Sequence, residues 1–183
     1  MRIEKYRDPI HGFIEVSTIE NKIIDSPPFQ RLRNIKQLAM TNLVYHGAEH
    51  TRFGHSIGVM HLATRAFNSA LDKGRYSFTR EKKLWYEQIL RLIALTHDLG
   101  HAPFSHASES LLPKDLQHVD YTTQIIKETC IADYIDEIGN EFVNKYGEEY
   151  DITPELICDI YNWHITGENS EFTFLNSFMD SEM

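Results

Sequence analysis

The 183 residues contain ten histidines. Two segments place them where they could do chemistry: Arg52-Phe53-Gly54-His55 and His97-Asp98-Leu99-Gly100-His101. Imidazole nitrogen and carboxylate oxygen form the mixed donor set that holds Fe, Mn, Zn or a similar divalent ion. A lone histidine is more often a hydrogen-bonded structural residue, and His46, His50, His61 and His164 are read that way. An isolated His-Asp pair is weak evidence for a metal. His-Asp-Leu-Gly-His with Arg-x-x-His upstream at a helix start is much stronger. His55 opens one long helix, and His97 and Asp98 close the next. If those helices pack antiparallel, the start of one meets the end of the other and the three side chains converge.

The elements that must position these residues are legible in the apolar spacing. From Ser56, Val59, Met60, Ala63, Ala66, Phe67, Ala70 and Leu71 recur at the helical period, and Gly74 closes the run. Thr79 can cap the next helix, which carries Leu84, Ile89, Leu92, Ile93 and Thr96 and stops at Gly100. Upstream, Asp8-Pro9-Ile10-His11-Gly12 has turn chemistry followed by Phe13, Ile14 and Val16, which predicts a hairpin or extended arm over 1–16. Ser17-Thr18-Ile19-Glu20 fits a capping box for a short helix through Ile24. Ser26 then caps a helix with Pro27 at its first position, running to about Leu38. Further helices are expected near Ser105–Leu112, Tyr121–Thr129, Ala132–Tyr146 and Thr153–Ile165. No other strand run, repeat or Pro-rich linker divides the chain. The expectation is a single all-α domain over 1–183, helical from 17.

Composition sets the outer limits. Hydrophobic content of 42% and charged content of 25% exclude collagen-like, coiled-coil and disordered classes. No apolar run approaches the roughly 18 residues of a membrane span, and Ile89–Leu95 is interrupted by Arg91. Arg2, Glu4, Lys5, Arg7 and Asp8 come with no apolar h-region, so these residues are not expected to act as a signal peptide. Cys130 and Cys158 form no close-spaced pair, so a reduced, cytoplasmic compartment is expected. The net charge of −9 is unevenly spread. Residues 1–114 carry 16 basic and 11 acidic side chains; 115–183 carry 2 and 16. The acidic half reads as a solvated helical face, and anionic ligands are expected to meet the first half. The overall sign argues against a general nucleic-acid binder.

The sequence resembles the HD-domain metal phosphohydrolases, and within them the deoxynucleoside triphosphate triphosphohydrolase (dGTPase-like) branch. Five collinear segments carry the resemblance: Asp8-Pro-Ile-His-Gly12, Asp25-Ser-Pro-Pro-Phe-Gln-Arg-Leu-Arg33, Ile35-Lys-Gln-Leu38, Arg52-Phe-Gly-His-Ser-Ile-Gly58 and His97-Asp-Leu-Gly-His-Ala-Pro-Phe-Ser-His106. The fold it implies is an HD-domain helical bundle. It implies that His55, His97 and Asp98 hold a divalent ion (Mn, Fe, Mg or Zn) and that Arg52 meets a substrate phosphate. It places His101, His106 and His118 near the reacting phosphorus, and Gln37 and Leu38 against the deoxyribose and base. Asp25, Gln30 and Arg33 match positions that read a guanine nucleotide activator in relatives; a polar surface helix is the plain alternative. The implied reaction converts dNTP and water to deoxynucleoside and triphosphate in a homo-oligomer. The alternatives are another HD nucleotidase or phosphodiesterase, and a non-catalytic nucleotide- or partner-binding HD fragment.

Departures from the family pattern are also readable. Its fourth ligand lies in a motif of the form Asp-x-Asp-(Arg/Lys)-x-Asp-Tyr, and no segment of these 183 residues has that form. The match is therefore to the N-terminal portion of the family's catalytic region. Asp180 or Glu182 could stand in, although a solvated tail is the favoured reading. Val119 replaces the Glu usual after the histidine equivalent to His118, with Asp120 as its substitute. Apolar surface is expected to be exposed at Phe172, Phe174, Phe178 and Met179.

Overall fold

The computed structural model describes residues 3–104, 113, 116–166 and 171–178. Its first element is the expected hairpin. Strands β1 (Ile3–Asp8) and β2 (Gly12–Ser17) pair antiparallel, from Ile3 opposite Ser17 to Asp8 opposite Gly12. Asp8 Oδ1 closes the turn by accepting from the N–H groups of Ile10 and His11, each at 2.8 Å. Gly12 supplies the left-handed φ of +78° that the turn requires. Ile14 and Val16 point into the core while Phe13 and Glu15 face out, the alternation of a strand covered on one side.

Helix α1 (Thr18–Asp25) starts on the expected capping box: Ser17 Oγ accepts from Glu20 N–H, and the Glu20 carboxylate accepts from Ser17 N–H. The helix expected to run from Ser26 to about Leu38 is much shorter. Helix α2 (Pro27–Gln30) is one turn and tightens into a 3-10 turn over Arg31–Asn34. Ser26 does not cap it; its hydroxyl donates back to Ile23 O. Beyond Asn34 the backbone finds partners elsewhere. Gln37 N–H donates to His50 O and Arg52 N–H to Ile35 O, with a single bridge between Lys36 and Thr51. These long-range bonds replace the helical ones that propensity favours locally.

Helices α3 (Arg52–Asp72) and α4 (Arg80–Thr96) form an antiparallel pair. Gly74, with φ +71°, turns the chain after α3, and the Thr79 hydroxyl caps α4 by accepting from Lys82 N–H. Helices α5 (His118–Glu128), α6 (Cys130–Tyr146), α7 (Pro154–Thr166) and the short α8 (Thr173–Asn176) pack around them. The start of α5 lies earlier than expected because Asp120 caps it, accepting from Gln117 N–H at 2.7 Å. The helix expected at 105–112 lies outside the described residues, as do His106, Met179, Asp180 and Glu182. One hydrophobic core joins the hairpin, α1, α3, α4 and the later helices.

The aromatic residues near the end are not exposed as expected. Phe172 and Phe178 are buried and Phe174 is half-buried. Phe172 packs edge-on against Trp85 and Tyr86, while Phe174 meets Tyr76, Phe78 and Tyr86. The α3–α4 connection and the first turns of α4 thus supply an aromatic cover within these residues.

Arg91, the charge that interrupts the apolar run of α4, is half-buried against the buried Glu20. Its Nε and Nη2 each donate to the Glu20 carboxylate at 2.7 Å, and Gln88 Nε2 adds a third bond at 2.9 Å. Burial alone would raise the Glu20 pKa; Arg91 and the surrounding donors outweigh it and hold the carboxyl below its ordinary 4.5. The folded pKa is therefore the lower one. The stability it confers is fully present above about 4.5 and is lost as pH falls through the folded value. The melting temperature, followed from neutral pH downward, should drop more steeply in wild type than in Glu20→Gln. Parallel acid limbs would contradict this.

Candidate metal centre

Two elements and one turn build the centre. Arg52 and His55 lie in the first turn of α3, and His97 and Asp98 follow the last residue of α4. Antiparallel packing brings these ends together, and the ligand atoms of His55, His97 and Asp98 all lie within 4.8 Å of one another. His55 Nε2 is 3.8 Å from Asp98 Oδ2, and His97 Nε2 is 3.3 Å from Asp98 Oδ1. The three donors form a group that could hold a metal ion.

The protonation chemistry fits a cation. His97 Nδ1 lies 2.7 Å from the Ala94 carbonyl, which can only accept. That nitrogen therefore carries a hydrogen, which leaves Nε2 as the ring atom that can face an ion. Burial pushes the His55 imidazole down to about 4; Asp98 pulls the other way, and His97 and Arg52 add to the fall. His55 is thus a neutral donor at neutral pH. Burial would raise the Asp98 carboxyl, but the His101 hydrogen bond and the His97 and Arg52 charges outweigh it. They hold Asp98 ionised, well below the usual carboxylate range. Two imidazoles and one carboxylate are a donor set for a borderline or hard divalent ion.

The HD domain family profile matches residues 52–177. The chain belongs to the HD domain family. It is 38% identical over 134 residues to the deoxynucleoside triphosphate triphosphohydrolase SAMHD1 of Danio rerio, covering 73% of this chain and 21% of that protein. With SAMHD1 of Gallus gallus the identity is 44% over 185 residues, covering 93% of this chain and 29% of that protein. Among solved structures, a hypothetical protein from Aquifex aeolicus is 34% identical, with a TM-score of 0.72 over 100% of this chain and 43% of its own. A phosphohydrolase from Bacteroides thetaiotaomicron is 26% identical, with a TM-score of 0.70 over 97% and 38%. The chain spans about a fifth to a third of the length of the curated relatives it matches. HD domains bind divalent metals, and the His55–His97–Asp98 group is suited to one.

Other expected site residues surround the HD carboxylate to different degrees. Arg52 is 2% exposed, and its Nη1 donates to Asp98 Oδ2 at 2.6 Å. His101 Nε2 lies 3.3 Å from Asp98 Oδ1, and the His118 ring stacks on His101 with centroids 4.1 Å apart. Gln37 sits on the segment bridged to α3's entry, and its Oε1 is buried with no hydrogen-bond partner among the described residues. Leu38 is exposed. A cavity of about 360 Å³ lies where the 34–43 segment meets Pro103 and Phe104, just after the HD turn. Asp25, Gln30 and Arg33 pair with other groups. Gln30 accepts from Arg33 Nε at 2.7 Å, Arg33 covers the Phe53 ring at 3.5 Å, and Asp25 accepts from Asn21. Asp120, offered as a substitute for a glutamate beside His118, has its carboxylate at the α5 cap.

Sequence reasoning missed the residues that hold the HD turn. Thr122, fully buried on α5, accepts from Gly100 N–H at 2.9 Å and donates to His97 O at 3.2 Å. A threonine on an amphipathic helix carries no sequence signal for that role. Arg31 reaches the same turn from the other side. The apolar spacing identified Gly100 as a helix stop, but its more exacting duty is to let α5 approach.

Proposed function

We propose that this chain forms the metal-binding portion of a deoxynucleoside triphosphate triphosphohydrolase, converting dNTP and water to deoxynucleoside and inorganic triphosphate. The observation that carries the reading is the convergence of His55, His97, Arg52 and His101 on Asp98. A divalent ion held by His55, His97 and Asp98 would polarise a phosphoryl oxygen and lower the pKa of water. Arg52 steadies Asp98 and presents its planar fork to a phosphate. His101 and the stacked His118 line the approach to the phosphorus, where a histidine can protonate the departing 5′ oxygen of the nucleoside. The buried Gln37 Oε1 is suited to accept from a sugar hydroxyl. The neighbouring cavity falls within the roughly 300–1,000 Å³ range of small-ligand sites. The triphosphohydrolase names of the SAMHD1 relatives support this substrate class. Asp25, Gln30 and Arg33 are proposed to read a guanine nucleotide activator, in an enzyme that works as a homo-oligomer.

Incubation of the Mn²⁺-loaded protein with each dNTP should release deoxynucleoside and triphosphate in equal amounts. His97→Ala should remove that activity. Release of monophosphate and pyrophosphate would instead assign a different phosphohydrolase.

A further inference from the structure

We propose that Arg31 is the positioning residue that sets the shape of the HD turn. This rests on the metal-centre reading and is independent of the substrate. Residues 97–101 must present His97, Asp98 and His101 to one point while leaving α4, where backbone carbonyls lose their helical partners. Hydrogen bonds secure the turn on both sides. Leu99 N–H donates to Thr96 O and His101 N–H to Asp98 O. Thr122 takes the Gly100 N–H and the His97 carbonyl. Two further carbonyls of the turn, those of Leu99 and His101, go to a single side chain. Arg31 Nη1 donates to His101 O at 2.8 Å, and Nη2 donates to Leu99 O. One planar guanidinium thus spans the segment immediately following Asp98.

The cost of placing a cation there supports a positional duty. Arg31 is partly buried, and burial disfavours its charge. Among the described residues no carboxylate lies within ion-pair distance of it. An uncompensated cation is a poor choice for packing alone. A guanidinium fork holding two carbonyls at a fixed separation does what neither an apolar side chain nor a lysine can do. Arg31 also reaches 68 and 70 residues along the chain, tying the 3-10 turn after α2 to the HD turn.

Arg31→Lys keeps the charge and loses the fork; Arg31→Gln loses both. Two measurements test the role. In metal-free protein, hydrogen exchange followed by mass spectrometry should accelerate in peptides covering 97–101, with the rest of the chain and the far-UV circular dichroism unchanged. In a Co²⁺ titration followed by ligand-field absorption, both variants should bind about 10–100-fold more weakly than wild type. Unchanged exchange in 97–101, or tighter Co²⁺ binding by Arg31→Gln, would overturn the proposal. Acceleration throughout the chain would also overturn it, because it marks general destabilisation. If wild type takes up no Co²⁺, the metal-centre reading fails, while the exchange result still decides whether Arg31 shapes the turn.

Discussion

Asp98→Asn should abolish Mn²⁺ binding and also lower the melting temperature of the metal-free protein sharply. His55→Ala should weaken binding while leaving that melting temperature nearly unchanged. Both side chains are in the same candidate ligand set, so the difference comes from what each does without an ion. Asp98 is buried and receives the Nη1 of Arg52, itself 2% exposed. Asparagine keeps the shape and removes the negative charge, leaving a buried guanidinium opposite an amide. Breaking a buried pair from one side typically costs about 3–5 kcal/mol. For a chain of this size that corresponds to a fall of roughly 6–20 °C. His55 has no such duty. Its imidazole is pushed down to about 4, so it is neutral at neutral pH and its removal strands no charge. Wild type should gain stability on adding Mn²⁺, and both variants should lose most of that gain. Scanning calorimetry with and without the ion, alongside metal analysis, reads all these quantities. An Asp98→Asn protein that still binds Mn²⁺, or melts with wild type, would contradict the account.

The contrast also explains what could be read from the sequence. His55, His97 and Asp98 were accessible because each sits at the end of an element with strong local signals. Apolar spacing defines α3 and α4, and Thr79 caps α4 as its sequence indicates. The residues that secure the turn were not accessible in the same way. Arg31 and Thr122 act through backbone carbonyls and an N–H, and such partners leave no pattern in side-chain types. The failed extension of α2 has the same cause. Residues 31–38 have respectable helical character, yet the bonds that decide their path run to His50 and Ile35–Arg52, across the chain. The expected apolar exposure at Phe172, Phe174 and Phe178 also failed, because Tyr76, Phe78, Trp85 and Tyr86 assemble into a cover only in three dimensions.

Gly100→Ala should be strongly damaging although it adds one methyl group and removes nothing. Gly100 has no left-handed φ, unlike Gly12 and Gly74, so the demand for glycine here is one of space. A Cβ at Gly100 would fall 1.8 Å from His118 O and 2.5 Å from Thr122 N. Both are backbone atoms of α5, so no rotamer change can relieve the overlap. The start of α5 must move away, stretching the Gly100–Thr122 and Thr122–His97 hydrogen bonds and separating the His101–His118 stack. Overpacking a core typically costs about 1–3 kcal/mol, and a clash against backbone belongs at or above the top of that range. Gly54→Ala is the matched control, one residue before His55 in the first turn of α3. Nothing lies within 4 Å of its added Cβ. The lower backbone entropy of alanine should stabilise that variant by up to about 1 kcal/mol. The two alanines should therefore shift the melting temperature in opposite directions, and only Gly100→Ala should weaken Co²⁺ binding. If Gly100→Ala melts and binds Co²⁺ like wild type, then α5 does not hold the HD turn at the separation described.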